Sequence, residues 1–303
     1  METEIETASI TDIWWAAGRE FVYLPPVDPA FAPENMGALQ RTLLRALALP
    51  ASYRRCDLKL TLRTSTQRAG FLFARQRGVS LHIDSLGIEP EYRRQGFARQ
   101  LLAEAQNFAR QEDLEFLTSG LTPQNQPAEN LLVGQGFRPF RPFHFVWREG
   151  SLEAPDESGW QLRELSPAET LPAFEHWQQT VFEAGDDWAA ALLLDVYRRS
   201  GWKGAARHWV CLAEDEEVGY LRVAGLRGNF QAYLAVGEPY WSSAGQVIWL
   251  KQALADYAST PEDVVVDLAG DRQSHAAQDV WAAAGFDVRP RARYVAIQPL
   301  NLQ

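Results

Sequence analysis

The chain has 303 residues, of which 46% are hydrophobic and 22% charged, an ordinary composition for a folded protein. That length is too great for one small core and suits two domains of about 150 residues each. The net charge of −10 argues against a nucleic-acid partner and favours cationic small molecules such as amines.

No stretch approaches the ~20 apolar residues that span a bilayer, so no membrane partner is expected. The acidic opening, Met1-Glu2-Thr3-Glu4-Ile5-Glu6, lacks an apolar core and reads as a frayed tail rather than a signal peptide. Cys56 and Cys211 are the only cysteines, too few for a disulfide framework or a structural zinc site. A cytoplasmic chain without a metal is the resulting expectation.

In chain order, a helical pattern covers 35–49. Strands with apolar alternation follow at Asp57–Arg63, Gly70–Gln76 and Val79–Ile88. A helix over Gln95–Gln111 places Phe97, Leu101, Leu102, Ala105 and Phe108 on one face. A strand near Glu115–Ser119, a short helix over Pro127–Gly134 and strands through Pro139–Arg148 complete the half. The polar run 149–159, with Gly150, Pro155 and Gly159, reads as a linker.

Beyond it the pattern repeats at a shift of 149 positions. Gly70 falls on Gly219, Pro90 on Pro239, Gly96 on Gly245, Gln124 on Gln273, Ala128 on Ala277 and Gly136-Phe137 on Gly285-Phe286. A gap-free register at each landmark implies duplicated domains, with bounds 1–150 and 158–303. The mixed order of strands and helices gives an α/β (α+β) class, each domain an open sheet flanked by helices.

The chemistry-bearing segment is Leu86-Gly87-Ile88-Glu89-Pro90-Glu91-Tyr92-Arg93-Arg94-Gln95-Gly96-Phe97-Ala98-Arg99. A strand ends at Pro90, and a turn through Gly96 opens an amphipathic helix. A helix N-terminus offers unpaired N–H groups and a partial positive charge that suit a phosphate. Gly96 and Ala98 let an anion approach, and Arg93, Arg94 and Arg99 add charge.

This segment resembles motif A of the GNAT superfamily of N-acetyltransferases, a strand and proline followed by Arg/Gln-x-x-Gly-x-Gly/Ala at a helix start. Asn125-Gln126-Pro127-Ala128 through Gly136-Phe137 is similar to that family's motif B. The resemblance covers about 70–147 well and the first 55 residues poorly. It implies two tandem GNAT-like domains, each with a mixed, mostly antiparallel sheet. It implies acetyl-CoA or another acyl-CoA as donor and a small amine as acceptor. The backbone of Leu86 and Ile88 would pair with the pantetheine arm. The amides of Arg94, Gln95, Gly96, Phe97, Ala98 and Arg99 would hold the pyrophosphate, with Asn125 facing the pantetheine.

Direct attack by an amine calls for a base, and the candidates are Asp84 and His82. Residues two apart on a strand share a face, so Asp84 and His82 are expected on the side of Leu86. Where many family members carry a tyrosine as general acid, this chain has Leu132, leaving Tyr92 or a water to serve. That departure also leaves open a non-catalytic acyl-CoA-binding scaffold.

In the second half the loop reads Pro239-Tyr240-Trp241-Ser242-Ser243-Ala244-Gly245-Gln246-Val247. Ser242 and Val247 replace Arg93 and Ala98, and Ser274 replaces Asn125, so this domain is expected to keep the fold and lose the cofactor. The tandem arrangement also resembles mycothiol synthases, which usually keep the active loop in the C-terminal half. Trp177, Trp188, Trp202, Trp209, Trp241, Trp249 and Trp281 read as packing. The acidic run 183–187 reads as a solvated helix start.

Overall fold

The computed structural model describes residues 3–19, 49–65, 67–122, 125–140, 143–148, 159–183, 206–226, 228–257, 261–290 and 294–300. The helix expected over 35–49 lies outside them except for its last residue, as do Gln124, 149–158, 184–187, Trp188 and Trp202.

The first unit is built on a seven-stranded sheet. Its strands are β1 (Thr3–Thr7), β2 (Leu58–Thr64), β3 (Arg68–Arg77), β4 (Ser80–Ile88), β5 (Phe116–Leu121) and β6 (Arg138–Phe140), with one strand from the chain's far end. Pairing is antiparallel from β1 to β4 and parallel between β4 and β5. Helix α1 (Ile10–Ala17) starts at a capping box in which Ser9 and Asp12 bond reciprocally. With α2 (Leu49–Arg54) it covers the face carrying Phe71 and Phe73, where Tyr53 stacks on Phe73 at 4.4 Å. Helix α3 (Phe97–Gln111) buries Leu101, Leu102 and Ala105 on the opposite face, as its periodicity predicts. Helix α4 (Gln126–Val133) follows β5.

The second unit repeats the plan. Its sheet comprises β8 (Trp160–Glu164), β9 (Ala206–Ala213), β10 (Glu216–Leu226), β11 (Asn229–Val236), β12 (Asp263–Leu268) and β13 (Asp287–Pro290), with β7 (Phe143–Arg148) between the last two. Helices α5 (Pro167–Glu183), α6 (Gly245–Ala255), α7 (Asp271–Ala276) and α8 (Gln278–Ala283) pack around a core of Trp209, Trp249, Trp281, Tyr220 and Phe145. The tryptophans Trp177, Trp209, Trp241, Trp249 and Trp281 are all buried here, so packing accounts for them.

The compact units are Met1–Pro139 with Val295–Gln303, and Phe140–Tyr294. They differ from the contiguous halves 1–150 and 158–303. The reason is an exchange of equivalent strands. β14 (Tyr294–Pro299) lies between β5 and β6, whereas β7 takes the same place between β12 and β13. β14 is tied in by Leu300 N–H to Glu115 O at 2.9 Å and by Gln298, which donates to Gln135 O at 2.7 Å.

Candidate functional site

Two features of the first unit make a site. The first is a break in β4. Its pairing with β3 shifts register between Phe73 and Ala74, opposite Ser85 and Ile83, leaving Asp84 as the extra residue of a bulge. Its pairing with β5 runs from Ser80–Phe116 to Ile83–Ser119 and stops there, five residues before β4 ends at Ile88. The strands part at Asp84, and among the described residues the β5-side edge that includes Leu86 and Ile88 has no strand partner.

The second feature is the loop beyond β4. Gly96 caps α3 with φ 85°, and Arg94 has φ 60°. Both angles are left-handed, a conformation glycine adopts without strain. A Cβ at Gly96 would meet nothing within 4 Å, so the space above it is open. Arg99 and Gln100 N–H return to Gly96 O, but among the described residues the amides of Arg94, Gln95, Gly96, Phe97 and Ala98 have no backbone acceptor. Arg93, Arg94, Gln95, Gly96 and Arg99 are exposed. Arg93 Nε donates to Ile88 O at 3.1 Å, and Gln95 Nε2 to Glu91 O at 3.1 Å, pinning the loop to the strand end. Tyr92 donates to Gln67 at 3.2 Å. Asn125 is the N-cap of α4, its Oδ1 accepting from Ala128 N–H at 3.3 Å. Leu132 is buried at 3% exposure.

The bulge overturns one expectation. Leu86 pairs with Leu72 and Ile88 with Gly70, and a Cβ at Gly70 would stand 3.5 Å from Leu101 of α3, so these residues face α3. Asp84 faces α2, where it meets Arg75, Arg77 and Cys56. An extra residue in the strand resets the alternation, so Asp84 and His82 lie across the sheet from Leu86, not beside it.

On that α2 face the side chains form a network. Asp84 is held by Arg75 at 3.1 Å and Arg77 at 3.0 Å, and its Oδ2 lies 3.6 Å from Cys56 Sγ. His82 Nδ1 is 2.9 Å from Thr118 Oγ1, and its Nε2 stands 4.0 Å from Asp84 Oδ1. Burial, with Asp84 adding to it, pushes the Cys56 thiol up to about 11. Burial likewise raises the Tyr53 phenol to about 12, against a hydrogen bond with Ser85. Cys56 is therefore a protonated thiol and a poor nucleophile at neutral pH. The arginines, Cys56, Thr118 and Tyr53 escaped the sequence reading, because their partnerships with Asp84, His82 and Ser85 exist only once the register is known.

With this geometry in place, a family model described as "Acetyltransferase (GNAT) family" matches residues 37–137. The match lies within the N-terminal unit, which is similar to a GNAT domain. A GCN5-related N-acetyltransferase from Sphaerobacter thermophilus has the same fold at 15% identity and TM-score 0.50, over 98% of this chain and 96% of that one. A tandem GNAT protein from the clavulanic acid biosynthesis pathway aligns over 100% of both chains at 16% identity and TM-score 0.45. No curated protein sequence matches. Two mixed seven-stranded sheets flanked by helices make the architecture that of tandem GNAT-like domains. Among the described residues no His, Cys, Asp or Glu cluster could hold a metal, and no helix is long and apolar enough to cross a membrane.

The second GNAT-like unit lacks both features. β10 and β11 pair from Gly219–Val236 to Leu226–Asn229 without a shift. β11 stays joined to β12 through Leu234–Leu268, two residues from its end at Val236. Gly245 N–H bonds Ser243 Oγ, Gln246 N–H bonds Ser243 O, and Val247 and Ile248 N–H bond Ala244 O. The Trp160 ring closes the space over Gly245, where a Cβ would come within 2.5 Å of it.

Proposed function

We propose that the first unit transfers an acetyl or other short acyl group from CoA to a primary amine, while the second lends support without binding that cofactor. The observation that carries this reading is the parting of β4 from β5 at a bulge, followed along the same strand by a loop with five uncommitted amides. That is the fit acyl-CoA needs: a strand edge for an amide-bearing arm and a cationic helix N-terminus for a pyrophosphate. Leu86 and Ile88 would offer backbone groups to the pantetheine. Arg93, Arg94 and Arg99 would surround the phosphates, which the amides of Arg94, Gln95, Gly96, Phe97 and Ala98 would bind. Asn125 retains its Nδ2 donors for the same arm.

When bound, acyl-CoA supplies an acyl carbonyl activated as a thioester. The chain's residues then orient the amine and receive its proton. We assign the proton to His82 Nε2, which stands 4.0 Å from Asp84 Oδ1, while Thr118 orients the ring through Nδ1. Asp84, already gripped by two guanidinium groups, serves as its anchor. A backbone N–H freed where β4 parts from β5 can stabilise the developing oxyanion. Family likeness supports an amine acceptor; we take it to be a small molecule, with a protein amine as the other option.

A second reading, an acyl-CoA-binding protein without turnover, is favoured by Leu132, whose buried side chain stands where the family's phenol would donate a proton. Calorimetry with acetyl-CoA, paired with thiol release across an amine panel, separates the readings. One site per chain and release with at least one amine is the expected result. One site and no release with any amine supports the second reading. His82→Gln should lower turnover by ~10²–10⁴ at constant CoA affinity. If Asp84→Asn does so and His82→Gln does not, the base is Asp84.

A further inference from the structure

The face of the second sheet that meets α5 carries a row of polar side chains unrelated to the cofactor site. Arg222 on β10 is directly opposite His208 on β9 and Tyr233 on β11. Directly opposed residues project to the same face with Cβ atoms about 5 Å apart, so the three form a continuous row. Phe174 of α5 packs at 5.6 Å on Tyr220 and 5.8 Å on Tyr233, which identifies the face. At the repeat spacing, Tyr233 occupies the position of Asp84.

This row has donors in surplus. Arg222 is half-buried, and among the described residues no acid lies within ion-pair distance of it. The nearest acid in the row, Asp267, is opposite Tyr233 on β12, two strands or about 10 Å away, and accepts from Gln231 at 3.3 Å. Glu164 is taken by Arg207 through both carboxylate oxygens, at 2.8 and 2.7 Å. Gln178 of α5, 1% exposed, accepts from the Tyr233 hydroxyl through Oε1, while its Nε2 is buried without an acceptor. His208 Nδ1 shares a 2.7 Å bond with Tyr220. Burial, and then the Arg222 charge, pushes the His208 imidazole down to about 4. A half-buried cation without an acid partner among the described residues and a buried amide donor without an acceptor stand on the same face, and the group that would serve both is an oxyanion.

We infer that the second unit binds a small oxyanion-bearing molecule, a carboxylate or a phosphate monoester, between Arg222, His208 and Gln178. Arg222 would make the charge-assisted bonds, and Gln178, held by Tyr233, would supply Nε2. The site lies within the second unit, and the inference does not depend on the reading given for the acyl-CoA cleft.

The test is a titration of the full chain with sodium acetate, benzoate and inorganic phosphate, read at the His208 ring protons by NMR and assigned with His208→Gln. An anion beside Arg222 offsets its charge, so the His208 midpoint should rise saturably by about one unit with at least one probe. Phosphate against the carboxylates shows which oxyanion the site takes. Arg222→Gln should abolish the saturable response, and Tyr233→Phe, which frees Gln178 but keeps the ring, should weaken it severalfold. No saturable shift with any probe at tens of millimolar overturns the inference. So does a response undiminished in a folded Arg222→Gln chain.

Discussion

The loops at 88–99 and 237–248 descend from the same plan and have opposite contents. In the first, Gly96 holds a left-handed angle under open space, and five amides have no backbone acceptor among the described residues. In the second, the helix N-terminus from Gly245 to Leu250 is buried, its amides bond to Ser243 and Ala244, and Trp160 lies over the glycine. The strands differ in parallel, since β4 bulges and leaves β5 while β11 stays joined to β12. A helix start can hold an anion only while its amides are unsatisfied and reachable. The second unit has exchanged that capacity for packing.

The largest effect should come from the strand exchange that completes each sheet. Deleting residues 294–303 removes the strand between β5 and β6 of the first sheet and with it the buried Ala296, Ile297 and Leu300. At roughly 1.5–3 kcal/mol for each large apolar side chain, plus lost ladder bonds, the cost is about 5 kcal/mol, comparable to a domain's whole stability. Hydrogen exchange should show protection lost in β4 and β5 and kept in β9 to β12. Loss confined to the second unit would contradict the exchange.

The next effect sharpens the loop comparison. Gly96→Val puts a β-branched side chain at φ 85°, between the amides and any phosphate. CoA affinity should fall at least ~100-fold, or about 2.7 kcal/mol, with the fold retained. Unchanged affinity in a folded variant removes the phosphate-loop assignment, and two equivalent CoA sites in the parent chain would remove the contrast between the loops.

Much of this was legible in the residues. Gly70 with Gly219 and Gly96 with Gly245 displayed the repeat, because each glycine sits where a Cβ or a right-handed angle is excluded. At Gly70 and Gly219 the neighbouring strand comes within 3 Å of the Cβ position. The periodicity of Phe97, Leu101, Leu102 and Ala105 placed α3. The bulge at Asp84 was not legible, because a register shift is a backbone event and Ile83-Asp84-Ser85 alternates like any strand. The destination of β7 was hidden too: Phe143, Phe145 and Trp147 announce a strand, not its sheet. The loss of the second loop was read from Ser242 and Val247, whereas its physical cause includes Trp160, 85 residues upstream of Gly245.

Trp160→Ala tests that cause. The ring packs edge-on against Trp249 at 5.2 Å and Tyr240 at 6.1 Å, and it is half-buried. Its removal should cost about 2 kcal/mol, less than for a fully buried tryptophan. It should not create CoA binding, because the amides from Gly245 to Ile248 remain bonded within the loop. A second CoA site in this variant would mean that the indole alone blocks an otherwise competent loop.

The smallest effect separates the units by pH. His208 is pushed down to about 4 by burial and by Arg222, whereas an unfolded histidine titrates near 6.5. Between those values the unfolded chain binds a proton that the folded chain refuses, so stability falls as the pH drops from 6.5 to 4. The ring is half-buried, and solvent screening limits the loss to about 1–2 kcal/mol. Alkali discriminates less well. Cys56 is raised to about 11 and Tyr53 to about 12 in the first unit, but Cys211 in the second is also pushed well above its ordinary value by burial, so both soften above pH 9. Acid sensitivity of Asp12, held low by Ser9, Arg68 and Arg63 against its burial, begins only near the ordinary carboxylate range. Hydrogen exchange at pH 7, 5.5 and 4.5, corrected for intrinsic rates, should show β9 to β11 losing protection before β2 to β4. His208→Gln should flatten that difference, and Arg222→Gln should reduce it. Equal loss in both units across this window would mean that His208 is not the group that separates them.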